Sequence, residues 1–142
     1  MTHSRGDRWL ALALAQAHVH ARIERDLHRR HHIVFSEFTA LKALSSAELQ
    51  ELRIQELAEA TALNQSSISR LVGRLDRLGL TERRKCEFDK RGVYIGLSPA
   101  GAELLATATK TFETVLNTAL ETIPDAGSRE AICMLLDSSL VR

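Results

Sequence analysis

Hydroxyl and guanidinium side chains share one face of the segment from Asn64 to Gly79. Residues three and four positions apart lie on the same side of a helix, and the outer side of this segment carries Ser66, Ser69, Arg70, Gly73, Arg74 and Arg77. An arginine can donate two parallel hydrogen bonds to a phosphate or to the edge of a guanine. The surface therefore predicts a DNA recognition helix, although a helix with arginines outside is more often an ordinary solvated surface.

The opposite side of the same segment is apolar. It carries Ile68, Leu71, Val72, Leu75 and Leu78, which recur in steps of three and four. Asn64 is a favourable N-cap, and Gly79 is the residue type that commonly follows the end of a helix. We therefore expect an amphipathic helix that packs on one side and leaves its serines and arginines outside.

Positive charge is concentrated on this helix and just after it. The chain has 142 residues and a net charge of only +1. Between Arg70 and Arg91, however, eight lysines and arginines stand against four acidic residues, a local net charge of +4. A basic region in an otherwise slightly acidic chain favours a nucleic-acid surface.

The composition is that of one folded domain or two small ones. The chain is 44% hydrophobic and 26% charged, which is ordinary for a soluble protein. The apolar run from Trp9 to Ala17 is too short to span a bilayer and does not look like a signal peptide. We therefore expect a cytoplasmic protein without a membrane partner.

Other residues that could do chemistry form weaker patterns. Cys86 and Cys133 have no CxxC partner, so neither a disulfide framework nor a structural zinc site is expected. Cys86 follows three basic residues, a setting that favours the thiolate, but a strand cysteine without a sensing role is the more frequent case. No serine, histidine and aspartate are arranged for nucleophilic catalysis. We expect neither an enzyme nor a cofactor.

A histidine cluster ends the first predicted helix. His28 stands at metal-binding spacing from His31 or His32. Cationic side chains are also stabilised near a helix C-terminus by the helix dipole. Because no cysteine or carboxylate completes a ligand set nearby, a structural role is the more frequent case, and no metal is expected.

Hydrophobic periodicity predicts a mainly α-helical chain with a minor β component. We expect Ser36 to cap a second helix, and Ser98 and Pro99 to open a long one that Pro124 stops. The predicted helices cover residues 8–30, 37–44, 55–61, 65–78, 98–122 and 126–140, and the predicted strands cover residues 52–54, 80–86 and 93–97.

The order of these elements predicts a winged helix-turn-helix. The helices at 55–61 and 65–78 are joined by the tight turn Leu63–Asn64, which is helix-turn-helix spacing. A β-hairpin directly after the second helix is a wing. Its tip carries Lys90 and Arg91 at the end of a lever, where they can reach a neighbouring minor groove.

The chain resembles the MarR family of bacterial transcription regulators. The resemblance rests on IQELAEATALNQSSISRLVGRLDRLGL from Ile54 to Leu80, on the wing tip from Asp89 to Gly92, and on LSPAG from Leu97 to Gly101. It implies a homodimeric winged-helix repressor with interlocking N- and C-terminal helices. We accordingly predict a dimerisation region at 1–34 and 98–142 and a DNA-binding domain at 35–97.

The resemblance also implies release from DNA by a small aromatic or phenolic ligand, by an oxidant or by a metal. Oxidant-sensing relatives carry a reactive cysteine near the start of the first helix, and this chain has none there. A zinc-sensing set of cysteine, histidine and carboxylate ligands is also missing from the sequence. The resemblance implies relief by a small-molecule effector, and a redox role for Cys86 stays open.

The expected DNA contacts divide by position along the recognition helix and the wing. Gln65, Ser66, Ser67 and Ser69 are placed near base edges or phosphates, and Arg70 and Arg74 further along the major groove. Lys90 and Arg91 would enter the flanking minor groove of double-stranded DNA, where a narrow A·T-rich groove concentrates negative potential. Asp89 would pair with Arg77 and brace the wing. A dimer predicts a pseudo-palindromic operator.

The effector pocket is predicted from three side chains. Trp9, His18 and Phe38 could converge between the first two helices and the long fifth one. Such a pocket would suit a small aromatic acid, because rings stack on aromatic walls and a protonated histidine can meet a carboxylate. The alternative is that Trp9 and Phe38 are core residues and His18 is exposed.

Two other functions fit the same pattern. A winged helix can serve as a protein–protein interaction module, which would not need Arg70, Arg74 and Arg91 on one side. A non-specific architectural DNA-binding protein would keep these charges but show little preference between sequences. A steep salt dependence of DNA binding would distinguish a DNA-binding protein from a protein–protein interaction module. A clear preference between DNA sequences would exclude a non-specific architectural protein.

Overall fold

The computed structural model describes residues 3–85 and 92–138. It divides into two compact units, one formed by Met1–Arg30 and Thr111–Arg142 and the other by His31–Lys110. The predicted dimerisation region and DNA-binding domain stay predictions, and the first part of the long fifth helix belongs to the second unit. The predicted mainly α-helical winged-helix fold is confirmed.

Six helices and three short strands follow one another along the chain. The helices are α1 (Arg5–His31), α2 (Phe35–Ser46), α3 (Ile54–Thr61), α4 (Gln65–Arg77), α5 (Pro99–Glu121) and α6 (Ala126–Asp137). The strands are β1 (Glu51–Arg53), β2 (Thr81–Lys85) and β3 (Val93–Leu97), and a 3₁₀ turn at Glu48–Gln50 precedes β1.

The start of α2 differs from the prediction. The helix begins at Phe35 instead of Glu37, and its N-cap is Val34 instead of Ser36. Valine has no side-chain acceptor for the cap, so Glu37 reaches back and accepts a hydrogen bond from the Val34 backbone N–H at 3.3 Å. This is one half of a capping box, and it makes the hydroxyl of Ser36 unnecessary as a cap.

The wing is an antiparallel sheet in the order β1–β3–β2. The predicted short strand after residue 51 is confirmed as the edge strand β1, which pairs Glu51 with Gly96. In the hairpin, Thr81 pairs with Leu97 and Lys85 with Val93. The central strand β3 carries the inward side chains, and Ile95 and Leu97 are buried.

The core of the second unit is built from aliphatic side chains of its helices and strands. Fully buried members include Leu41, Leu44, Leu57, Ile68, Leu75 and Ile95. Burial of a leucine or isoleucine stabilises a fold by about 1.5–3 kcal/mol. The helix-turn-helix is therefore held by one apolar face from each of α2, α3 and α4.

In the first unit, two aspartates accept hydrogen bonds at the starts of helices, Asp125 as the N-cap of α6 and Asp7 within the first turn of α1. Asp125 accepts a hydrogen bond from the Ser128 N–H at 2.8 Å at the start of α6, and Asp7 accepts from the N–H and hydroxyl of Ser4 near the start of α1. The hydrogen bonds from Ser128 lower the pKa of the Asp125 carboxyl, and those from Ser4 lower the pKa of the Asp7 carboxyl.

Both α1 and α6 leave large apolar side chains exposed. On α1 these are Trp9, Leu10, Leu12 and Leu14, and on α6 they are Met134, Leu135 and Leu136. Scattered exposed apolar residues are normal, but clusters on two helices mark an interaction surface. Within the described residues, no helix is both long and apolar enough to span a membrane.

Candidate nucleic-acid interface

The N-terminus of α4 is capped as the sequence predicts. The Asn64 Oδ1 accepts a hydrogen bond from the Ser67 N–H at 2.8 Å and another from the Ser66 hydroxyl at 3.0 Å. Gln65 and Ser66 are exposed, and Ser67 is half-buried. The cap leaves the backbone N–H groups of Gln65 and Ser66 without a helical partner, which is suited to phosphate oxygens.

The apolar and polar faces of α4 are confirmed with one exception. Ile68, Leu71, Val72 and Leu75 are buried, whereas Ser69, Arg70, Arg74 and Arg77 are exposed. The predicted inward position of Leu78 is wrong, because its side chain is 51% exposed. The helix ends at Arg77, and the chain turns at Gly79 so that Leu80 enters the core in its place.

That turn is a Schellman motif, in which the chain reverses after α4 and enters β2. Gly79 has φ +73°, the left-handed region that glycine adopts without strain. Its N–H donates to the Asp76 carbonyl, and the N–H of Leu80 donates to the Leu75 carbonyl, both at 3.0 Å. The predicted role of Gly79 is thereby confirmed, and the hairpin follows the recognition helix with no flexible linker.

Arg74 contacts the first turn of α2 and the backbone just before it. Its Nε donates to Glu37 Oε2 at 3.2 Å, and its Nη2 donates to the carbonyl of His32 at 3.4 Å. Glu37 is 2% exposed, so the carboxylate is inside the fold. The prediction that Arg74 contacts DNA remains untested, but the guanidinium already has a protein partner.

Arg70 and Arg77 lie in a different setting. Both side chains are exposed on α4, and among the described residues neither makes an ion pair. Arg70 stands one turn after Ser66 on the outer side. Within residues 3–85 and 92–138, neither guanidinium donates a hydrogen bond to another side chain or to the backbone.

A salt bridge joins α4 to the wing at Asp76. One carboxylate oxygen accepts a hydrogen bond from the Thr81 hydroxyl at 2.5 Å, and the other lies 3.3 Å from the Arg83 Nε. The helical spacing of Asp76 gives no indication of this role. The predicted brace from Asp89 to Arg77 stays untested, since Asp89 lies outside the described residues.

Arg84 lies across the centre of the sheet. Its guanidinium donates to Glu82 Oε1 at 2.9 Å and to the carbonyls of Leu49 and Leu97, and it lies 3.7 Å from Glu51. A Cβ at Gly96 would collide with this side chain. Sequence reasoning did not predict this network. The signal for it was Gly96, because a glycine inside a strand often marks a place where another group approaches the backbone closely.

Ser98 and Gly101 fasten the start of α5 to the end of α4. The Ser98 hydroxyl accepts from the Gly101 N–H at 3.0 Å and donates to the Gly79 carbonyl at 2.6 Å. The predicted N-cap role of Ser98 is confirmed. A Cβ at Gly101 would overlap the carbonyl oxygen of Leu80, so only glycine fits this close approach.

The wing tip and its neighbours are outside the described residues. Lys90 and Arg91, predicted as minor-groove contacts, fall there together with Asp89 and Cys86. The strands on either side, β2 and β3, are described and form the hairpin that the sequence predicts. The predicted minor-groove role of Lys90 and Arg91 stays a prediction.

The three residues predicted for an effector pocket have different environments. Trp9 is 72% exposed, and Phe38 is 4% exposed among the buried residues of α2. His18 is half-buried, and its Nε2 lies 2.9 Å from the Thr122 hydroxyl, to which Arg22 also donates at 3.1 Å. Core placement holds for Phe38 but not for Trp9. A joint role in ligand binding stays a prediction.

The described residues contain no group of three or more histidine, cysteine or acidic side chains placed to hold a metal ion. The carbonyl of His32 is instead a hydrogen-bond acceptor for Arg74. Cys133 is half-buried on α6. The chemistry of the described chain is thus concentrated on the exposed side of α4 and its polar links to α2 and the wing.

These elements define a winged helix-turn-helix protein, with α3 and α4 as the helix-turn-helix and β2 and β3 as the wing. Residues 33–92 match the model of the MarR family. Together with the fold, this match confirms the resemblance to the MarR family that the sequence predicts. No curated protein matches the chain in sequence.

Several solved structures of MarR family regulators share the fold. AbsC from Streptomyces coelicolor is 19% identical with a TM-score of 0.77, and the match covers 96% of this chain and 93% of that one. Sco3205 from the same organism, solved in complex with DNA, is 21% identical with a TM-score of 0.78 over 96% and 86%.

A third similar structure is Bordetella bronchiseptica BpsR, whose DNA binding is regulated by 6-hydroxynicotinic acid. It is 20% identical with a TM-score of 0.74, and the match covers 96% of this chain and 94% of that one. At these identities the similarity is one of fold.

Proposed function

We propose that the protein is a sequence-specific DNA-binding transcriptional regulator that acts as a homodimer. The observation that carries this proposal is the exposed side of α4. Its first two turns, which follow the N-cap Asn64, present Gln65, Ser66, Ser69 and Arg70 to solvent. An exposed helix of this kind fits the major groove of B-form DNA. The structure of Sco3205 in complex with DNA supports the same use of the fold.

Each part of the interface has a distinct proposed role. The N-terminal turn of α4 meets phosphates and base edges, and Arg70 reads one base in the major groove. Lys90 and Arg91 enter the minor groove beside it. The bond between Asp76 and Arg83 holds the wing at a fixed angle to α4, so that both grooves are engaged together.

Dimerisation fits the exposed apolar surfaces of the first unit. Trp9 and Leu14 on α1 and Met134 on α6 are each more than half exposed in the single chain. Burying such side chains against a second copy is favourable by about 25 cal/mol for each Å² removed from water. A two-fold dimer would present two α4 helices to the two half-sites of a pseudo-palindromic operator.

We propose repression that is relieved by a small aromatic acid. The regulation of DNA binding of BpsR by 6-hydroxynicotinic acid supports this proposal. A ligand that weakens DNA binding must itself bind less well to the DNA complex by the same factor. Trp9 is the only tryptophan, so its fluorescence reports titration with salicylate-like compounds. Equal ligand affinity with and without operator would refute this switch.

Selection of binding sites from random duplex DNA tests the proposed function. We expect enrichment of a pseudo-palindrome with two half-sites about one or more helical turns apart. Tight, salt-dependent binding without enrichment would indicate an architectural protein instead. An absence of DNA binding at low salt would favour the protein–protein interaction module.

A further inference from the structure

Glu37 is a buried carboxylate whose partners connect α2 to the recognition helix. Its side chain is 3% exposed. One oxygen accepts from the Val34 N–H at 3.3 Å and the other from the Arg74 Nε at 3.2 Å. Both oxygens are therefore satisfied, which a charged group inside a fold requires.

Arg74 completes the connection with a second hydrogen bond. Its Nη2 donates to the carbonyl of His32 at 3.4 Å. His32 lies between α1 and α2 and has φ +58°, a left-handed conformation that is uncommon for residues other than glycine. One guanidinium thus ties α4 to both the first turn of α2 and the connection that precedes it.

Two roles for Arg74 follow from its position, and they make opposite demands on Glu37. If Arg74 binds a DNA phosphate, Glu37 competes with that phosphate for the same guanidinium. If Arg74 remains with Glu37, the pair fixes where α4 lies and the DNA contacts come from its neighbours. Removing the arginine from Glu37 would leave a buried carboxylate without its cation, which is strongly unfavourable.

We propose that Glu37 and Arg74 are positioning residues that set the placement of the recognition helix, and that Arg74 makes no phosphate contact. This inference rests on the proposed DNA-binding function. It divides the arginines of α4 into two kinds: Arg70, which has no ion pair among the described residues, reads DNA, whereas Arg74 holds the reading surface in place.

Glu37→Gln is the deciding variant, because the two roles predict opposite signs. A positioning pair predicts that the affinity for the selected operator falls by about tenfold or more, the size of one good base contact. Affinity for a shuffled duplex at low salt should stay unchanged, since non-specific binding depends on charge. If Glu37 were a competitor, Glu37→Gln would release Arg74 and tighten binding to both duplexes.

Glu103→Gln is the matched control. Glu103 is exposed on the part of α5 that belongs to the same unit. Its replacement by glutamine therefore removes one carboxylate without changing the Glu37–Arg74 pair. Tighter or unchanged operator binding in Glu37→Gln, relative to this control, would overturn the proposal. Circular dichroism of each variant establishes that the folded fraction is equal before affinities are compared.

Arg74→Met supplies an independent readout from the salt dependence. Loss of a phosphate contact lowers the slope of log K against log salt by about one, whereas loss of a positioning residue leaves the slope unchanged. The double variant Glu37→Gln with Arg74→Met should bind no worse than Arg74→Met alone, because the two side chains act as one unit. A lowered slope or additive losses would overturn the proposal.

Arg74→Lys covers the case in which Glu37→Gln does not fold. Lysine keeps a cation beside Glu37 but lacks the fork that bonds Glu37 through Nε and His32 through Nη2, so the selected operator should be bound more weakly. Unchanged affinity would refute the placement of α4 by the two-point attachment of Arg74 to Glu37 and His32. If the parent protein itself shows no preference between the two duplexes, the proposed function fails instead.

Discussion

Arg70, Arg74 and Arg77 lie on one side of α4 but serve in different environments. Arg74 is bonded to the buried Glu37, while Arg70 and Arg77 have no ion pair among the described residues. Arg74 donates through Nε to Glu37 and through Nη2 to His32, whereas Arg70 would exchange only water for a new acceptor. The residue that reads DNA is therefore best sought at Arg70.

Arg70→Ala should weaken operator binding by about 1–3 kcal/mol and relax base preference at one position in each half-site. The physical reason is the loss of a bidentate contact to a base edge. Affinities for the operator and for single-base variants of it provide the measurement. An equal loss for every sequence would assign Arg70 to the phosphates, and an unchanged affinity would remove it from the interface.

The sequence predicted the features of α4 that depend on near neighbours. The Asn64 cap, the buried stripe and the Gly79 turn involve residues within four or five positions, and helical spacing determines them. The partner of Arg74 is 37 positions away in sequence. A helical wheel shows which side a residue faces but not which distant side chain meets it, so the sequence does not predict the bond from Arg74 to Glu37.

At the scale of elements, glycines and short polar links fix how α4, the wing and α5 meet. Gly101 lets the first turn of α5 approach the carbonyl of Leu80, and Ser98 bonds the carbonyl of Gly79. Gly96 leaves room for Arg84 across the sheet. The sequence predicted the strands and helices themselves, but these contacts depend on tertiary packing that periodicity does not encode.

Gly101→Ala should lower the free energy of unfolding by about 1–3 kcal/mol, because the added methyl group meets a backbone oxygen that cannot move away. Chemical denaturation followed by circular dichroism measures the change. Gly127→Ala is the control, since the nearest atom to its Cβ lies at 3.7 Å and is a side-chain oxygen. Equal stability of Gly101→Ala and the control would contradict the close packing of α5 on Leu80.

The caps of the first unit predict a specific acid dependence. The pKa of Asp125 is lowered from 3.8 by its hydrogen bonds with Ser128. A lowered folded-state pKa contributes stability that is present above the unfolded value and is lost as the pH falls through the folded value. Stability should therefore decline below pH 3.8.

Asp125→Asn separates this effect from general acid unfolding. Asparagine also caps a helix but does not titrate. In denaturation curves between neutral pH and pH 3, the variant should lose less stability on acidification than the parent. Identical acid dependence in the two proteins would show that this cap does not carry the effect.

At the scale of the whole molecule, the exposed apolar side chains of α1 and α6 indicate that a single chain is incomplete. The resemblance to the MarR family implies a homodimer with interlocking N- and C-terminal helices. The structure places Trp9, Leu14 and Met134 on the surface of the first unit. The exposed apolar side chains of α1 and α6 therefore support the prediction that the terminal helices of two copies interlock.

We expect a stable dimer of twice the 15.8 kDa chain mass at micromolar concentration. Sedimentation velocity measures this directly. Replacement of Leu14 and Met134 by lysine should shift the equilibrium towards monomer, because charges placed in an apolar interface are costly to desolvate. A folded parent that sediments as a monomer would refute the dimer.

The ratio of affinities for two duplexes tests the central claim most directly. One duplex carries the selected operator and the other the same bases in shuffled order, and both are titrated by fluorescence anisotropy over a series of salt concentrations. For a dimeric, sequence-specific regulator we expect the operator to be bound more tightly than the shuffled duplex by a factor of about 10³ or more. The logarithm of each binding constant should fall linearly with the logarithm of the salt concentration. Equal affinity for the two duplexes at every salt concentration would contradict it.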